Sequence, residues 1–284
     1  MRRAGSPSIV LFAAALAAVL LPTGLHAEPE PPALVFSRGG TETPVAKSDL
    51  RAKCEPGPVE VDDPYYGRTK RFLACPLARV LAIGFGDASG VAGQDVLLRA
   101  IDGYTRSVAG DQLLIEGAFL AFEDADREAG GFDEIDRRQV DPAPFYMIWQ
   151  GEGRNDTAAW PWPYQLRTIE IAPFETRFPH TIPVGAEPAS AERRGFALFR
   201  RECFSCHSIN GEGGKVGPDL NVPQSIVAYR PAGQIRAFIR NPRTFRYTTM
   251  PPHLHLGEAE LDDLLAYFTA MSQLQHDPGS GGGH

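Results

Sequence analysis

The sequence predicts a protein of two domains, a mixed α+β domain rich in strands and then an all-α domain. The chain of 284 residues is long enough for two modest hydrophobic cores. Short strand-like runs separated by turns dominate residues 28–175, whereas helical periodicity dominates residues 188–276. Residues 176–187 contain prolines and a glycine without a regular period, which indicates a linker. Residues 277–284 are glycine-rich, which indicates a flexible tail.

The composition and net charge do not favour a nucleic-acid partner. Hydrophobic residues make up 43% of the chain and charged residues 22%, which are ordinary values for a globular protein. The formal net charge is -7, so nothing in the overall charge supports binding to a polyanion. We therefore expect no nucleic-acid partner.

The N-terminus predicts an export signal over residues 1–27. Arg2 and Arg3 form a positive start, residues 9–21 form an apolar run, and Ala27 offers a cleavage point. The apolar run is too short to span a bilayer comfortably, so we expect cleavage and no membrane span afterwards. The two arginines lack the rest of a twin-arginine motif, which favours export of an unfolded chain. These features predict a periplasmic protein.

The N-terminal domain contains several apolar segments. Two of them, "APFYMIWQ" and "LRTIEIAPF", are rich in aromatic and branched residues and predict strands. A third, "RFLACPLARVLAIGF", is a long apolar run. A fourth, "DQLLIEGAFLAFEDAD", fits either a helix or a pair of buried strands, and its periodicity does not decide between them.

Three segments of the C-terminal domain have helical periodicity. The first begins after Ser190, a residue type that often caps helix N-termini. The second, "PAGQIRAFIRNP", ends before Pro242. The third begins with acidic residues, which a helix N-terminus favours, and its apolar stripe comprises Leu261, Leu264, Leu265 and Phe268.

The stretch "CFSCH" between the first two helices contains Cys203, Cys206 and His207. A redox CxxC motif is expected at the start of a helix after a strand, but this one follows a helix. A zinc site needs further ligands, and His253 and His255 lack the usual HxxxH spacing. CxxCH is the signature of covalent haem attachment, with the adjacent histidine on the iron. We therefore predict a haem c site.

The second axial ligand is expected further along the chain. Met250 lies in "FRYTTMPPH", a non-helical stretch stiffened by two prolines, and is the predicted ligand. Met271 lies in the apolar stripe of the last helix, where a methionine usually fills the core. His253 and His255 are the competing candidates.

With these motifs in order, residues 188–275 resemble a class I cytochrome c domain. The matching segments are "GFALF", "CFSCH", "GPDL", "TTMPP" and "LLAYFTAM". The resemblance implies one covalently bound haem, with His207 and Met250 as axial ligands. It also implies that Gly195 and Phe199 pack near Tyr267. Finally, it implies that the carbonyl of Pro218 accepts a hydrogen bond from the ring of His207.

The N-terminal domain contains "LLRAIDGYTRSVAGDQLLIEG", "DPAPFYMIWQ" and "WPWPYQLRTIEI". In this order they resemble the molybdopterin-binding fold of sulfite-oxidase-like proteins, over about half of the domain. The resemblance implies a cysteine thiolate on molybdenum, a role that Cys75 would take. The alternative is a disulfide between Cys75 and Cys54, which closes a loop of about twenty residues and contributes ~3 kcal/mol.

An oxidising compartment favours the disulfide. The missing twin-arginine motif agrees with it, because molybdenum cofactors are usually inserted before a folded protein is exported. We therefore expect no molybdopterin and a domain that docks or positions a partner.

Together these predictions describe an exported monohaem c-type cytochrome that carries single electrons between periplasmic donor and acceptor proteins. An electron-transfer protein or subunit fits better than a stand-alone enzyme, because both axial positions of the iron would be occupied. One alternative is a molybdenum-dependent oxidoreductase with a built-in haem relay, which requires an unpaired Cys75. The other is a haem-based ligand sensor or a structural subunit of a redox complex, which requires a displaceable Met250.

Overall fold

The computed structural model describes residues 32–135 and 139–278. We call residues 32–175 the N-terminal part and residues 188–276 the C-terminal part. The first is rich in strands and the second in helices, so the predicted order of fold types is confirmed. The predicted export signal, residues 1–27, lies outside the described residues, as does most of the predicted tail. In the described ranges no helix combines the length and apolar character needed to cross a membrane.

Two sheets form the frame of the N-terminal part. Their strands are β1 (Ala33–Arg38), β2 (Thr41–Ala46), β3 (Gly57–Asp63), β4 (Arg68–Pro76), β5 (Asp95–Ala100), β6 (Thr105–Ala109), β7 (Ala118–Asp124), β8 (Tyr146–Trp149) and β9 (Leu166–Ile171). The first sheet has the order β2-β1-β9-β5-β6, in which only the β1–β9 pair is parallel. The second has the order β3-β4-β7-β8 and is antiparallel throughout. Strand β6 therefore lies at an edge of the first sheet.

Short helices lie between these strands or directly after the last of them. They are α1 (Lys47–Cys54), α2 (Leu77–Phe85), α3 (Gly110–Leu113) and α4 (Phe174–Arg177), with a 3-10 turn at Ser89–Val91. The apolar run "RFLACPLARVLAIGF" is divided between β4 and α2 at Pro76. The ambiguous run "DQLLIEGAFLAFEDAD" contains both α3 and β7, separated by Gly117 at a φ of +88°. Leu113 of α3 and five of the seven residues of β7 are buried, so both segments contribute apolar side chains to the core and the apolar pattern does not distinguish them.

The core of the N-terminal part is aromatic and joins both sheets to α1 and α2. Trp149 and Trp162 are almost completely buried in it. Their indole nitrogens donate to the carbonyls of Pro161 at 2.7 Å and Arg154 at 2.9 Å. Both buried N–H groups are therefore satisfied, which is the usual condition for burying tryptophan.

The C-terminal part contains helices and one small hairpin. Its elements are α5 (Ala191–Leu198), a π-helical turn (Phe199–Cys203), β10 (Ser208–Ile209), β11 (Glu212–Gly213), α6 (Ile226–Tyr229), α7 (Ala232–Arg240), a 3-10 turn (Pro242–Thr244) and α8 (Glu258–Ser272). The hairpin departs from the all-α prediction. Asn210 and Gly211 both have positive φ, 57° and 78°, which is the Asn-Gly geometry of a two-residue hairpin turn. At the start of α5, the side chain of Ser190 accepts a hydrogen bond from the amide of Arg193 at 3.4 Å.

Helices α5 and α8 touch at Gly195. A Cβ atom at this position would lie 2.7 Å from the Cβ of Tyr267 and would also overlap the carbonyl oxygen of Asp263. The ring of Tyr267 then packs on Phe199, with ring centroids 5.3 Å apart. Gly195 therefore sets how closely the two helices approach.

We expect Gly195→Ala to lower the free energy of unfolding by about 1–3 kcal/mol, because the new methyl group must push α8 away. Chemical denaturation of the purified protein measures this change. The matched control is Gly233→Ala in α7, where a Cβ would meet nothing within 4 Å and no loss is expected. Equal stability of the two variants would contradict the close contact at Gly195.

The segment predicted to be a linker packs against the C-terminal part. Phe178 and Thr181 are buried, and the carbonyl of Thr181 accepts a hydrogen bond from the hydroxyl of Tyr267 at 2.7 Å. Leu97 of β5 and Phe174 of α4 also belong to the helical core. The described residues of both parts accordingly belong to one compact unit.

Candidate haem-binding site

Cys203, Cys206 and His207 belong to one tight turn. The π-helical turn ends at Cys203, and the amides of Cys206 and His207 both donate to the carbonyl of Cys203, at 3.1 and 2.9 Å. Burial raises the pKa of the Cys203 thiol to about 12. The thiolate is the reactive form of cysteine, so burial of Cys203 in the folded chain disfavours that form.

The ring of His207 is held in one orientation. Its Nδ1 lies 2.8 Å from the carbonyl oxygen of Pro218. A carbonyl can only accept a hydrogen bond, so Nδ1 carries the proton and Nε2 keeps its lone pair for a metal. Burial lowers the pKa of His207, which also favours the neutral ring that binds iron.

Glycines leave the space that this arrangement requires. A Cβ at Gly217 would lie 2.8 Å from Nδ1 of His207, so a larger residue would push the ring out of place. The amide of Gly217 donates to the carbonyl of Cys206 at 2.7 Å. The donor set therefore fits haem c: two cysteines on one turn, and a neutral histidine with one ring nitrogen oriented by a backbone carbonyl.

The two methionines after His207 have different surroundings. Met250 is partly buried in the non-helical segment before α8, and its amide donates to Oγ1 of Thr248 at 3.1 Å. Met271 is 1% exposed in the core between α8 and its neighbours, where its carbonyl accepts from the side chain of Asn221. Met271 is thus packed as a core residue, and Met250 remains the predicted ligand.

His253 and His255 face the carboxylate of Glu202. Oε2 of Glu202 lies 3.5 Å from Nδ1 of His253 and 3.2 Å from Nε2 of His255. These contacts lower the pKa of Glu202 to about 2, with the hydrogen bond to His253 as the largest cause. Each histidine therefore has one ring nitrogen directed at this carboxylate.

The N-terminal part lies directly on the CxxCH segment. Where edge strand β6 begins, the amide of Thr105 donates to the carbonyl of Ser205 at 3.0 Å. Arg106 donates from Nη1 to the carbonyl of Arg201 at 2.6 Å and from Nη2 to the carbonyl of Ala158 at 2.7 Å. The hydrogen bond from Thr105 thus satisfies a backbone amide at the edge of the sheet that would otherwise be unpaired.

Asp102, Gly103 and Tyr104, the D-G-Y turn directly before β6, form the end of this contact. The amide of Tyr104 donates to Oδ1 of Asp102 at 2.9 Å, and the carbonyl of Gly103 accepts from the amide of Lys215 at 3.0 Å. A Cβ at Gly103 would lie 2.9 Å from the Cβ of Lys215. By themselves, an aspartate and a glycine in succession predict a tight turn. Nothing local to it reveals that it meets a segment more than a hundred residues away.

The structure contains the disulfide between Cys54 and Cys75. Cys54 ends α1, Cys75 lies in β4, and both residues are buried in the core of the N-terminal part. The sulfur of Cys75 is therefore bonded to carbon and to a second sulfur, and no thiolate is present for a metal.

Comparisons with known proteins bear on the C-terminal part. A search of curated protein sequences found no match to the chain. A scan against protein-family models matched residues 192–272 to the family described as cytochrome c. This range contains the CxxCH turn, Pro218, Met250 and most of α8. The match therefore supports a cytochrome c domain, with covalently bound haem c and a role in electron transfer, in the C-terminal part of the chain.

Proposed function

We propose that the protein is an exported c-type cytochrome that carries one haem c and passes single electrons between periplasmic donor and acceptor proteins. The observation that carries this proposal is the CxxCH turn. Cys203, Cys206 and His207 share one turn, and the carbonyl of Pro218 orients the histidine. These are the groups needed for two thioether bonds and one axial nitrogen.

The proposal assigns the second axial position to Met250. Its segment is stiffened by Pro251 and Pro252 and is tied to α7 by the hydrogen bond from the amide of His253 to the carbonyl of Ile239, at 3.2 Å. A Met/His ligand pair gives haem a higher reduction potential than a pair of histidines does. If His207 and Met250 both bind the iron, it would have no open site for a substrate, which favours electron transfer over catalysis.

The N-terminal part covers one side of the CxxCH turn, so partners must approach elsewhere. The segment around Met250 offers an exposed surface with apolar side chains. Phe245 is 47% exposed, Tyr247 95% and Leu254 72%. Arg243 and Arg246 are exposed beside them, which favours a partner with acidic residues around an apolar centre. The N-terminal part would then hold the haem-attachment turn in place and add docking surface.

A molybdenum-dependent oxidoreductase is the alternative function. It requires a thiolate at Cys75, whereas this sulfur is bonded to Cys54. A haem-based sensor is the second alternative. It requires that an external ligand displace Met250, which is partly buried. The first alternative predicts bound molybdenum, and the second predicts that external ligands bind the haem iron of the unmodified protein.

We expect about one iron and no molybdenum per chain in protein purified from a host that can insert both cofactors, because the CxxCH turn provides one attachment site. Elemental analysis together with the visible spectrum measures both. Stoichiometric molybdenum would overturn the proposal, and would indicate that Cys75 is a metal ligand in the loaded protein.

A further inference from the structure

Three metal-binding side chains converge beside the haem-attachment turn. Glu202 lies in the π-helical turn directly before Cys203, and His253 and His255 lie in the segment after Met250. One donor atom from each residue lies within 4.8 Å of the other two. The three residues connect two segments that are far apart in the sequence.

The distances between these donor atoms fit a tetrahedral metal ion. Zinc binds imidazole nitrogen and carboxylate oxygen at about 2.0–2.2 Å, so two donors at corners of a tetrahedron lie about 3.3–3.5 Å apart. Oε2 of Glu202 lies 3.5 Å from Nδ1 of His253 and 3.2 Å from Nε2 of His255. The two separations from Oε2 of Glu202 to the histidine nitrogens therefore already match those of a tetrahedral zinc site, and little side-chain movement is needed.

The donor types select the class of metal. Two imidazoles and one carboxylate suit zinc and neighbouring transition metals, whereas calcium and magnesium prefer oxygen ligands throughout. Three protein ligands leave a fourth position for water. The i, i+2 spacing of His253 and His255 does not indicate such a site in the sequence, because the third ligand comes from Glu202 in another segment.

The surroundings hold the donors and leave an entry path. The other carboxylate oxygen of Glu202, Oε1, accepts a hydrogen bond from Nε of Arg201 at 2.6 Å, which orients Oε2 towards the histidines. The backbone of His253 is fixed to α7 through the carbonyl of Ile239. The side chains of Glu202 and His253 are 7% and 9% exposed, whereas that of His255 is 57% exposed and gives access from solvent.

We propose that Glu202, His253 and His255 bind one zinc-class divalent ion, with water as the fourth ligand. The ion would fasten the segment that carries Met250 to the turn that carries Cys203. None of the three donors is a ligand of the haem iron in the proposal above, so the two sites use different side chains.

The experiment is a calorimetric titration of zinc chloride into the full-length, haem-loaded protein in a buffer without chelators. We expect one equivalent to bind. Loss of an outer hydrogen-bond partner alone weakens metal sites roughly 10–100-fold, so loss of a ligand in His255→Ala is expected to weaken binding at least about 100-fold. His255 is exposed, and its replacement leaves the core intact.

A matched control is His276→Ala. His276 stacks on His180 at a ring separation of 3.8 Å, and His180 contacts Glu212, so the control removes a similar histidine from another pair. We expect this variant to bind zinc as the parent does. Zinc should also raise the melting temperature of the parent and the control but not of His255→Ala.

Three outcomes would overturn the metal site: absence of stoichiometric binding, unchanged affinity in His255→Ala, or loss of affinity in His276→Ala instead. Glu202→Gln provides a second test, because it keeps an oxygen atom but removes the charge, and it is expected to weaken binding as well. Haem content measured on the same samples separates the two proposals, since zinc can bind to a chain that lacks haem and the converse also holds.

Discussion

Replacing both Cys203 and Cys206 by serine is expected to abolish covalent haem. Serine cannot form the thioether bonds, so no haem should migrate with the chain after denaturation. Haem staining of denaturing gels and the spectrum of the alkaline pyridine complex both measure attachment. This is the largest expected effect, because the two bonds depend on these sulfurs alone.

The matched control replaces the other cysteine pair, Cys54 and Cys75, by serine. We expect this variant to keep one covalent haem per chain and to lose about 3 kcal/mol of stability, because its disulfide constrains the unfolded chain. Haem that stays with the Cys203→Ser/Cys206→Ser chain under denaturing conditions would mean that attachment occurs elsewhere. Loss of haem in the Cys54→Ser/Cys75→Ser control alone would show that attachment depends on the fold of the N-terminal part.

Met250→Ala is expected to leave the haem attached but to open one axial position. External ligands such as cyanide or imidazole should then bind more readily than to the parent. Axial ligands set haem potentials over a range of about 0.8 V, so we expect the potential to fall by on the order of 0.1 V. Ligand titration followed by visible spectroscopy and a potentiometric titration measure the two effects.

Met271→Leu is the control for this prediction, because Met271 is 1% exposed in the helical core and a similar volume is conserved. It should leave the potential and the ligand affinity unchanged. If Met250→Ala leaves the spectrum and potential as they are, Met250 is not the ligand. The same measurements on His253→Ala would then test the competing histidine.

The haem-attachment turn was predictable because its chemistry is local. Cys203, Cys206 and His207 are neighbours in the chain, and Pro218 follows shortly after. Backbone hydrogen bonds between near neighbours close this turn, so the CxxCH motif largely determines the geometry of the turn. The disulfide between Cys54 and Cys75 was predictable for a different reason: the predicted export signal implies an oxidising compartment, in which cysteines are normally paired or modified.

The N-terminal part was less predictable. Its strands "APFYMIWQ" and "LRTIEIAPF" correspond to β8 and β9, because branched and aromatic residues favour strands. Sheet order does not follow from such patterns, since pairing such as β1 with β9 depends on packing between distant segments. The contact of β6 with the CxxCH turn likewise joins segments that are distant in the sequence, so local patterns do not predict it.

Sequence patterns were enough to predict a β-rich part followed by a helical part, covalent haem at the CxxCH turn and the residue types available as axial ligands. Three features became visible in the three-dimensional structure alone: the two parts form one compact unit, the D-G-Y turn lies on the haem-attachment segment, and Glu202 lies beside His253 and His255. The two sets of features differ in how far apart in the chain the interacting residues lie. Motifs report hydrogen bonds and steric limits between near neighbours, whereas interfaces and convergent donors depend on how distant segments bury their apolar surfaces.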